Sequence, residues 1–406
     1  MRPWAEKKVS DLIDGLVAGV SVRSRDGDLS RPAVLKTSAV AGGRVDFRET
    51  KAIIAADVSR AKCAPVRDSI VVSRMNTPAL VGAVGYVEAD ESGVFLPGRL
   101  WLARSRRTAS TDMRWLNYAL GFGDVASRVR ELATGTSNSM KNIPKSRLLE
   151  LSVLVPIPEE QRAISTVLAD IDGAIACLER LVAKKRAIKQ GVMQELLTGS
   201  TRLPGFDGEW TPTTLGAVVD LVGGGTPARG TAEYWGGSIP WATVKDVSNF
   251  NPCGTQESIT PAALRMSSAR LVRAGTPILA VRMLVGKSVR FQTDVAINQD
   301  LKALLCGPEV EEAFLCNWFV ANGDDLAASA GGSTVAGTST AAIRAMDISI
   351  PSVEEQLAIA AVLDDTDAEI VALERRLEAT RNIKKGMMQE LLTGRTRLPV
   401  NEEVTV

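Results

Sequence analysis

Pro156-Ile157-Pro158-Glu159-Glu160-Gln161 opens a segment that closes with Met193-Gln194-Glu195-Leu196-Leu197-Thr198-Gly199 and Thr201-Arg202-Leu203-Pro204, and the chain then repeats it. Adding 195 to each number gives Pro351, Glu354-Glu355-Gln356, Met388-Gln389-Glu390-Leu391-Leu392-Thr393-Gly394 and Thr396-Arg397-Leu398-Pro399. The copies, 156–204 and 351–399, align without a gap and agree at 29 of 49 positions, which chance does not produce. Each copy follows a stretch of roughly 150 residues, so the chain describes two arms and not a solenoid array.

Inside the first copy Ile164, Leu168, Ile171, Ile175, Leu178 and Val182 step by four, three, four, three, four, which is a heptad seam. Ile359, Leu363, Thr366, Ile370, Leu373 and Leu377 repeat it, broken only by the polar Thr366. A further stripe, Ile188, Val192, Leu196 and Ile383, Met387, Leu391, is expected to continue the buried face. Ser352 with Glu355 three residues on predicts a capping box, and Pro158 a first helical position. Gly199 and Gly394 stand where a left-handed C-terminal cap belongs, with Pro204 and Pro399 shortly beyond. Each helix would run for about 40 residues, or about 60 Å at 1.5 Å per residue. Gly191 and Gly386 each cost roughly 1 kcal/mol against Ala inside a helix, which predicts a kink or a close helix contact there. A seam this long needs a partner, and the simplest is the other copy. A pseudo-twofold relation would run the two antiparallel as an intramolecular coiled coil.

The arms before the helices share landmarks in the same order. Trp4 with Val9-Ser10-Asp11-Leu12 matches Trp210 with Leu215-Gly216-Ala217-Val218. The apolar run ending in Arg74-Met75 matches the run ending in Arg282-Met283, and Val94 to Leu100 matches Val295 to Leu301. A Gly/Ser/Thr-rich loop and a short strand into proline (Ser152 to Pro156, Asp347 to Pro351) precede each long helix. Short β-branched runs punctuated by Gly, Pro, Asn and Asp read as mixed domains, so the fold class is α+β. The boundaries expected are 1–155 and 205–350 for the two domains, 156–204 and 351–399 for the helical segments, and 400–406 for a tail.

A chain of 406 residues needs more than one core. No apolar run is long enough for a signal peptide or membrane span, so a cytoplasmic protein with no membrane partner is expected. There is no histidine, and the five cysteines form no C-x-x-C pair, which argues against zinc sites, a disulfide framework and His-based catalysis. No nucleotide-binding motif occurs, because Val281 stands where a phosphate loop ending in Gly286-Lys287-Ser288 needs its first glycine. No cofactor or metal is expected. Lys plus Arg against Asp plus Glu gives 24 − 16 = +8 for 1–155 and 10 − 14 = −4 for 205–350, so only the first arm is suited by charge to a polyanion.

The two Pro-x-x-Glu-Glu-Gln starts and the two Leu-Leu-Thr-Gly-x-Thr-Arg-Leu-Pro ends resemble the specificity subunit of type I restriction-modification systems. Gly223-Gly224-Gly225-Thr226-Pro227, followed by Ile239-Pro240-Trp241 and Lys245-Asp246, strengthens that resemblance, which extends over essentially the whole chain. The second arm fits the pattern better, since the first lacks the Gly-rich Thr-Pro element. The resemblance implies two target-recognition domains, each reading half of a bipartite double-stranded DNA sequence. It also implies two methyltransferase (modification) subunits, a motor-nuclease (restriction) subunit and no chemistry in this chain itself.

Phosphates are held by Lys and Arg, while base edges are read by bidentate side chains such as Arg on guanine and Asn or Gln on adenine. The DNA-binding candidates in the first arm are Lys36, Arg74, Arg99, Asn138, Ser139, Lys141 and Asn142. In the second they are Thr226, Lys245, Asp246, Arg282, Asn298, Gln299 and Ser339. The acidic second arm should bind duplex weakly alone, so the methyltransferases are expected to supply part of a basic channel. If the coil acts as a ruler, inserting about four residues (about 6 Å at 1.5 Å each) should widen the gap between half-sites by one or two base pairs. The residues alone leave two other readings open: a specificity subunit of another modification or phage-defence system, and a coiled-coil scaffold of carbohydrate- or protein-binding domains. The scaffold would show no salt-dependent duplex binding.

Overall fold

A computed structural model describes residues 3–27, 30–135, 140–248, 250–329 and 337–399. The chain divides into two compact units, one of residues 1–177 with 376–406 and one of residues 178–375. Both boundaries fall inside long helices, Pro158–Leu196 and Val353–Leu391, so each unit holds one arm and half of each helix.

In the first unit a six-stranded sheet runs in the order Ile13–Ala18, Leu100–Ser105, Ser69–Ser73, Val84–Val87, Gly43–Val45, Val40–Ala41. A four-stranded sheet adds Val94–Phe95, Ala33–Leu35, Thr50–Ile53 and Ser24–Arg25. The central strands are apolar at nearly every position because both faces are covered. Ile70, Val72, Trp101 and Ala103 pack toward the helix Met113–Gly121, while Val71, Leu100 and Leu102 pack with Leu35, Val40 and Leu96 on the other side.

The second unit repeats this plan with fewer strands. Val219–Gly223, Leu301–Cys306, Pro277–Ala280 and Ser288–Arg290 form one sheet, and Glu257–Ile259, Trp235–Ala242, Val295–Ile297 and Arg270–Val272 the other. Leu279 and Leu304 face Phe314, Leu315 and Phe319 of the helix Glu312–Ser329, and Ile278, Ala280, Leu301 and Ala303 face Val244, Phe291 and Ile297. In each unit the opening strand closes the domain by pairing with the strand before the long helix. Ala5–Lys8 lies antiparallel to Ser152–Val155, and Thr211–Thr214 to Asp347–Ile350.

The long helices pack together, and within each unit their halves run antiparallel. Lys384 reaches Asp172 at 2.8 Å in the first unit, and Lys189 reaches Asp367 at 2.6 Å in the second. These are the same pair under the 195-residue offset, and Lys185–Glu369 joins them in the second unit. Ile175, Leu178, Val182, Ile370 and Leu377 are buried as the heptad predicts. Ile164, Leu168, Ile359 and Leu363 do more than line a seam, for they belong to the cores of the two arms.

Three local expectations need correction. Of the further stripe Leu196 and Leu391 are buried, but Ile188 and Ile383 are 47 % and 57 % exposed, and Met193 and Leu197 join the buried face instead. Two steps of four along a helix of 3.6 residues per turn rotate a stripe by about 80°, which carries Ile188 and Ile383 off the contact. Gly191 and Gly386 lie inside continuous helices, and a β-carbon on either would meet nothing within 4 Å, so no close contact explains them. The capping box at Ser352 is half made. Its hydroxyl accepts from Glu355 N at 3.3 Å, but the Glu355 carboxylate is turned to Arg202. The caps at Gly199 and Gly394 form as expected, each with φ 71°.

The repeated motifs fasten each unit together. Arg202 donates two hydrogen bonds of 2.6 Å to buried Glu355, and Arg397 likewise grips buried Glu160, its Nη2 at 2.6 Å. Gln161 Oε1 accepts from Asp112 N at 3.0 Å while its Nε2 donates to Pro156 O, and Gln356 does the same with Glu311 N and Pro351 O. The start of one long helix is thereby tied to the arm it follows and to the end of the other helix. Trp4 lies against Gly394 and Arg397 just as Trp210 lies against Gly199 and Arg202.

Candidate nucleic-acid interface

At the end of each central sheet the backbone follows one hydrogen-bonding plan. In the first unit Val20 N donates to Leu96 O (3.1 Å), Leu100 N to Pro97 O (3.1 Å), Arg74 N to Arg99 O (3.1 Å) and Ile143 N to Arg74 O (2.8 Å). In the second, Gly225 N donates to Ile297 O (3.1 Å), Leu301 N to Asn298 O (3.4 Å), Val281 N to Asp300 O (2.9 Å) and Thr338 N to Val281 O (3.0 Å). Position by position, Ser21 corresponds to Thr226, Gly98 to Gln299, Arg99 to Asp300, Arg74 to Val281 and Met75 to Arg282. The Arg-Met landmark is therefore one residue out of register: Arg74 occupies the place of Val281, not of Arg282. The match of Val94–Leu100 with Val295–Leu301 holds as read.

The Gly-rich element has a steric cause. A β-carbon on Gly224 would lie 1.9 Å from Ile297 O, and one on Gly225 1.8 Å from Ser268 Oγ. Close passage of that backbone sets Thr226 Oγ1 2.7 Å from Gln299 Oε1. The first unit does the same with one residue, since a β-carbon on Gly19 would lie 1.8 Å from Leu96 O. Sequence reading missed Gly19 and the Ser21 it positions. A single glycine after an apolar strand was the only signal.

The first unit brings its described candidates together. Arg74 and Arg99 join through the backbone, the short strand Lys141–Asn142 pairs with Met75–Asn76 beside Arg74, and Lys36 shares an open groove with Arg99, Ser21 and Lys51. Lys36 Nζ lies 3.6 Å from Glu49 and 4.0 Å from Asp26, and Lys141 Nζ donates to Gly135 O at 2.6 Å. Arg74 stacks 5.4 Å over the buried Trp101 ring, and its Nε is buried without a hydrogen-bond partner, as is Asn142 Oδ1. Asn138 and Ser139 lie outside the described residues.

The second unit gathers Thr226, Gln299, Arg282 and Ser339 around the same plan. Arg282 Nη1 is 3.5 Å from Asp300 Oδ1 and bridges to Gly337 through the backbone, two residues before Ser339. Ser339 caps the helix Thr340–Arg344 by accepting from Ala342 N at 3.0 Å. Lys245 is exposed on the short helix Val244–Ser248, which follows the strand that pairs with Val295–Ile297. Two candidates are buried scaffold. Asp246 accepts from Thr243 N, Thr243 Oγ1 and Gln256 N at 2.7 to 2.9 Å, and Asn298 spans its own turn by bonding Asp300 N and Asp300 Oδ2. Burial pushes the Cys306 thiol up to about 12, with Glu312 and Glu311 adding to the shift, so it stays protonated near neutrality.

Residues 207–380 match the family described as the type I restriction modification DNA specificity domain. The specificity subunit of the type I restriction enzyme EcoR124I/EcoR124II of Escherichia coli is 28% identical over 192 residues, 46% of this chain and 45% of that protein. The chain thus spans about half the length of that relative. A putative type I restriction enzyme MjaX specificity subunit of Methanocaldococcus jannaschii is 21% identical over 411 residues, covering 97% of this chain and 94% of that protein. In fold, the S subunit of the type I restriction-modification system of M. genitalium superposes with a TM-score of 0.62 at 16% identity, over 96% of this chain and 99% of that one. A structure described under complex assembly and conformational transition of the type I R-M system follows at 0.57 and 17%, over 97% and 98%. With two arms on one backbone plan, joined by a duplicated helical segment, the chain is similar in sequence over residues 207–380, and in fold over nearly its whole length, to type I restriction-modification specificity subunits.

Proposed function

We propose that this chain is the DNA-specificity subunit of a type I restriction-modification complex. It has no catalytic role of its own. The arms at 1–155 and 205–350 each read one half of a bipartite duplex sequence. The helical segments 156–204 and 351–399 hold them and present a twofold-repeated surface to two methyltransferase subunits, with a motor-nuclease subunit joining for restriction in the cytoplasm. The observation that carries this reading is the shared backbone plan bearing different polar side chains at the same positions. A scaffold held constant while its loop chemistry changes is what reading two unlike targets requires.

Within this reading Lys36, Arg99, Lys141 and Lys245 serve the phosphates, and Arg74, Asn142, Thr226, Arg282, Gln299 and Ser339 face the grooves. Asp246 and Asn298 shape the turns that present them. The second arm carries net negative charge, so the chain alone binds duplex weakly and the methyltransferases complete the basic surface. Duplex binding by the co-purified complex, followed against salt, tests the proposal. Affinity should fall steeply, by about 10³-fold or more between 50 and 200 mM salt for six to ten phosphate contacts. Salt-independent binding, or none from an assembled complex, would favour the scaffold reading.

A further inference from the structure

The corresponding positions of the two units exchange one chemistry for another. Where the second unit has Thr226, Gln299, Val281 and Asp300, the first has Ser21, Gly98, Arg74 and Arg99. The first unit thus keeps the hydroxyl, loses the amide, and places guanidinium groups where the second has a valine and an aspartate. The charge of Arg282 is met by Asp300, whereas Arg99 stands where that aspartate would be. Among the described residues neither the Arg74 nor the Arg99 side chain makes an ion pair or hydrogen bond, while Lys36 and Lys141 are already engaged.

The two arginines also differ from each other. Arg99 is exposed and free to follow a phosphate. Arg74 is half-buried, with its guanidinium over the Trp101 ring, which is 3 % exposed, and its Nε shut away from solvent. The ring beneath restrains the guanidinium, and burial of Nε leaves the two terminal nitrogens as the outward donors. A fixed planar pair of donors matches guanine O6 and N7 in the major groove. A mobile point charge would suffice for a phosphate.

We propose that Arg74 reads a guanine in the half-site of the first unit and that Arg99 holds the adjacent backbone, an assignment that rests on the DNA-specificity reading above. The experiment is single-molecule methylome sequencing of a methylation-free host expressing the complex with wild-type chain, Arg74→Ala, Arg74→Lys or Arg99→Ala. Arg74→Ala and Arg74→Lys should both relax one G·C position of one half-site, with discrimination there falling about tenfold or more while the other half-site stays intact. The intact half-site reports that the variants are folded and assembled. Arg99→Ala should lower methylation evenly without changing the motif. An unaltered motif with Arg74→Lys, or an even loss with either Arg74 variant, would make Arg74 a phosphate contact and overturn the proposal. A wild-type complex that gives no bipartite motif would instead defeat the DNA-specificity reading itself.

Discussion

Gly224 and Gly191 show how differently one residue type can matter. At Gly224 the backbone passes so close to Ile297 O that any side chain must displace a strand, and the turn presenting Thr226 moves with it. Gly191 and Gly386 face open space in helical conformation, where only backbone entropy counts. Gly191→Ala and Gly386→Ala should therefore each stabilise the protein by about 1 kcal/mol, read as a higher midpoint in urea. A loss of stability in either variant would show that something other than backbone entropy holds that position. At this scale the sequence was legible where glycines cluster, as in Gly223-Gly224-Gly225, and silent where Gly19 does the same work alone. Identity also misled. Two Arg-Met pairs invited alignment, but the hydrogen bonds to Arg99 O and Asp300 O set the register one residue away.

The long helices were readable as elements because heptad spacing and caps are local signals. Their tertiary attachments were not, since nothing in a Pro-x-x-Glu-Glu-Gln run says that its second glutamate meets an arginine 237 residues on. That contact sets a clear expectation. Glu160 is almost fully buried, so Arg397→Ala leaves a carboxylate without its cation and should cost about 3 kcal/mol or more by denaturant unfolding, with Glu160→Gln recovering part in the double variant. Asp172 gives a pH dependence. Burial pushes its carboxyl up, but Lys384, Tyr118 and Arg44 together outweigh that and hold it below the ordinary value of 3.8. A carboxylate depressed in the folded state contributes stability above its unfolded pKa and loses it as pH falls through the folded one. Stability of the first unit should thus decline below about pH 4, and Asp172→Asn should flatten that decline while lowering stability at neutral pH. An acid limb unchanged in the Asn variant would place the titrating group elsewhere.

For the whole molecule, the duplication announced two arms, and the α+β class followed from short strands between turns. The bases each arm would contact were not legible, because the candidate side chains lie far apart in sequence and meet only at the sheet ends. Charge alone would have dismissed the second arm, yet at its sheet end it repeats the hydrogen-bonding plan of the first. The most direct test of the central claim, that each arm reads one half of a divided target, is single-molecule methylome sequencing of a methylation-free host making this chain with its methyltransferase. The account predicts a single motif of two specified parts separated by unspecified base pairs. A single uninterrupted motif, or no methylation from an assembled complex, would contradict it.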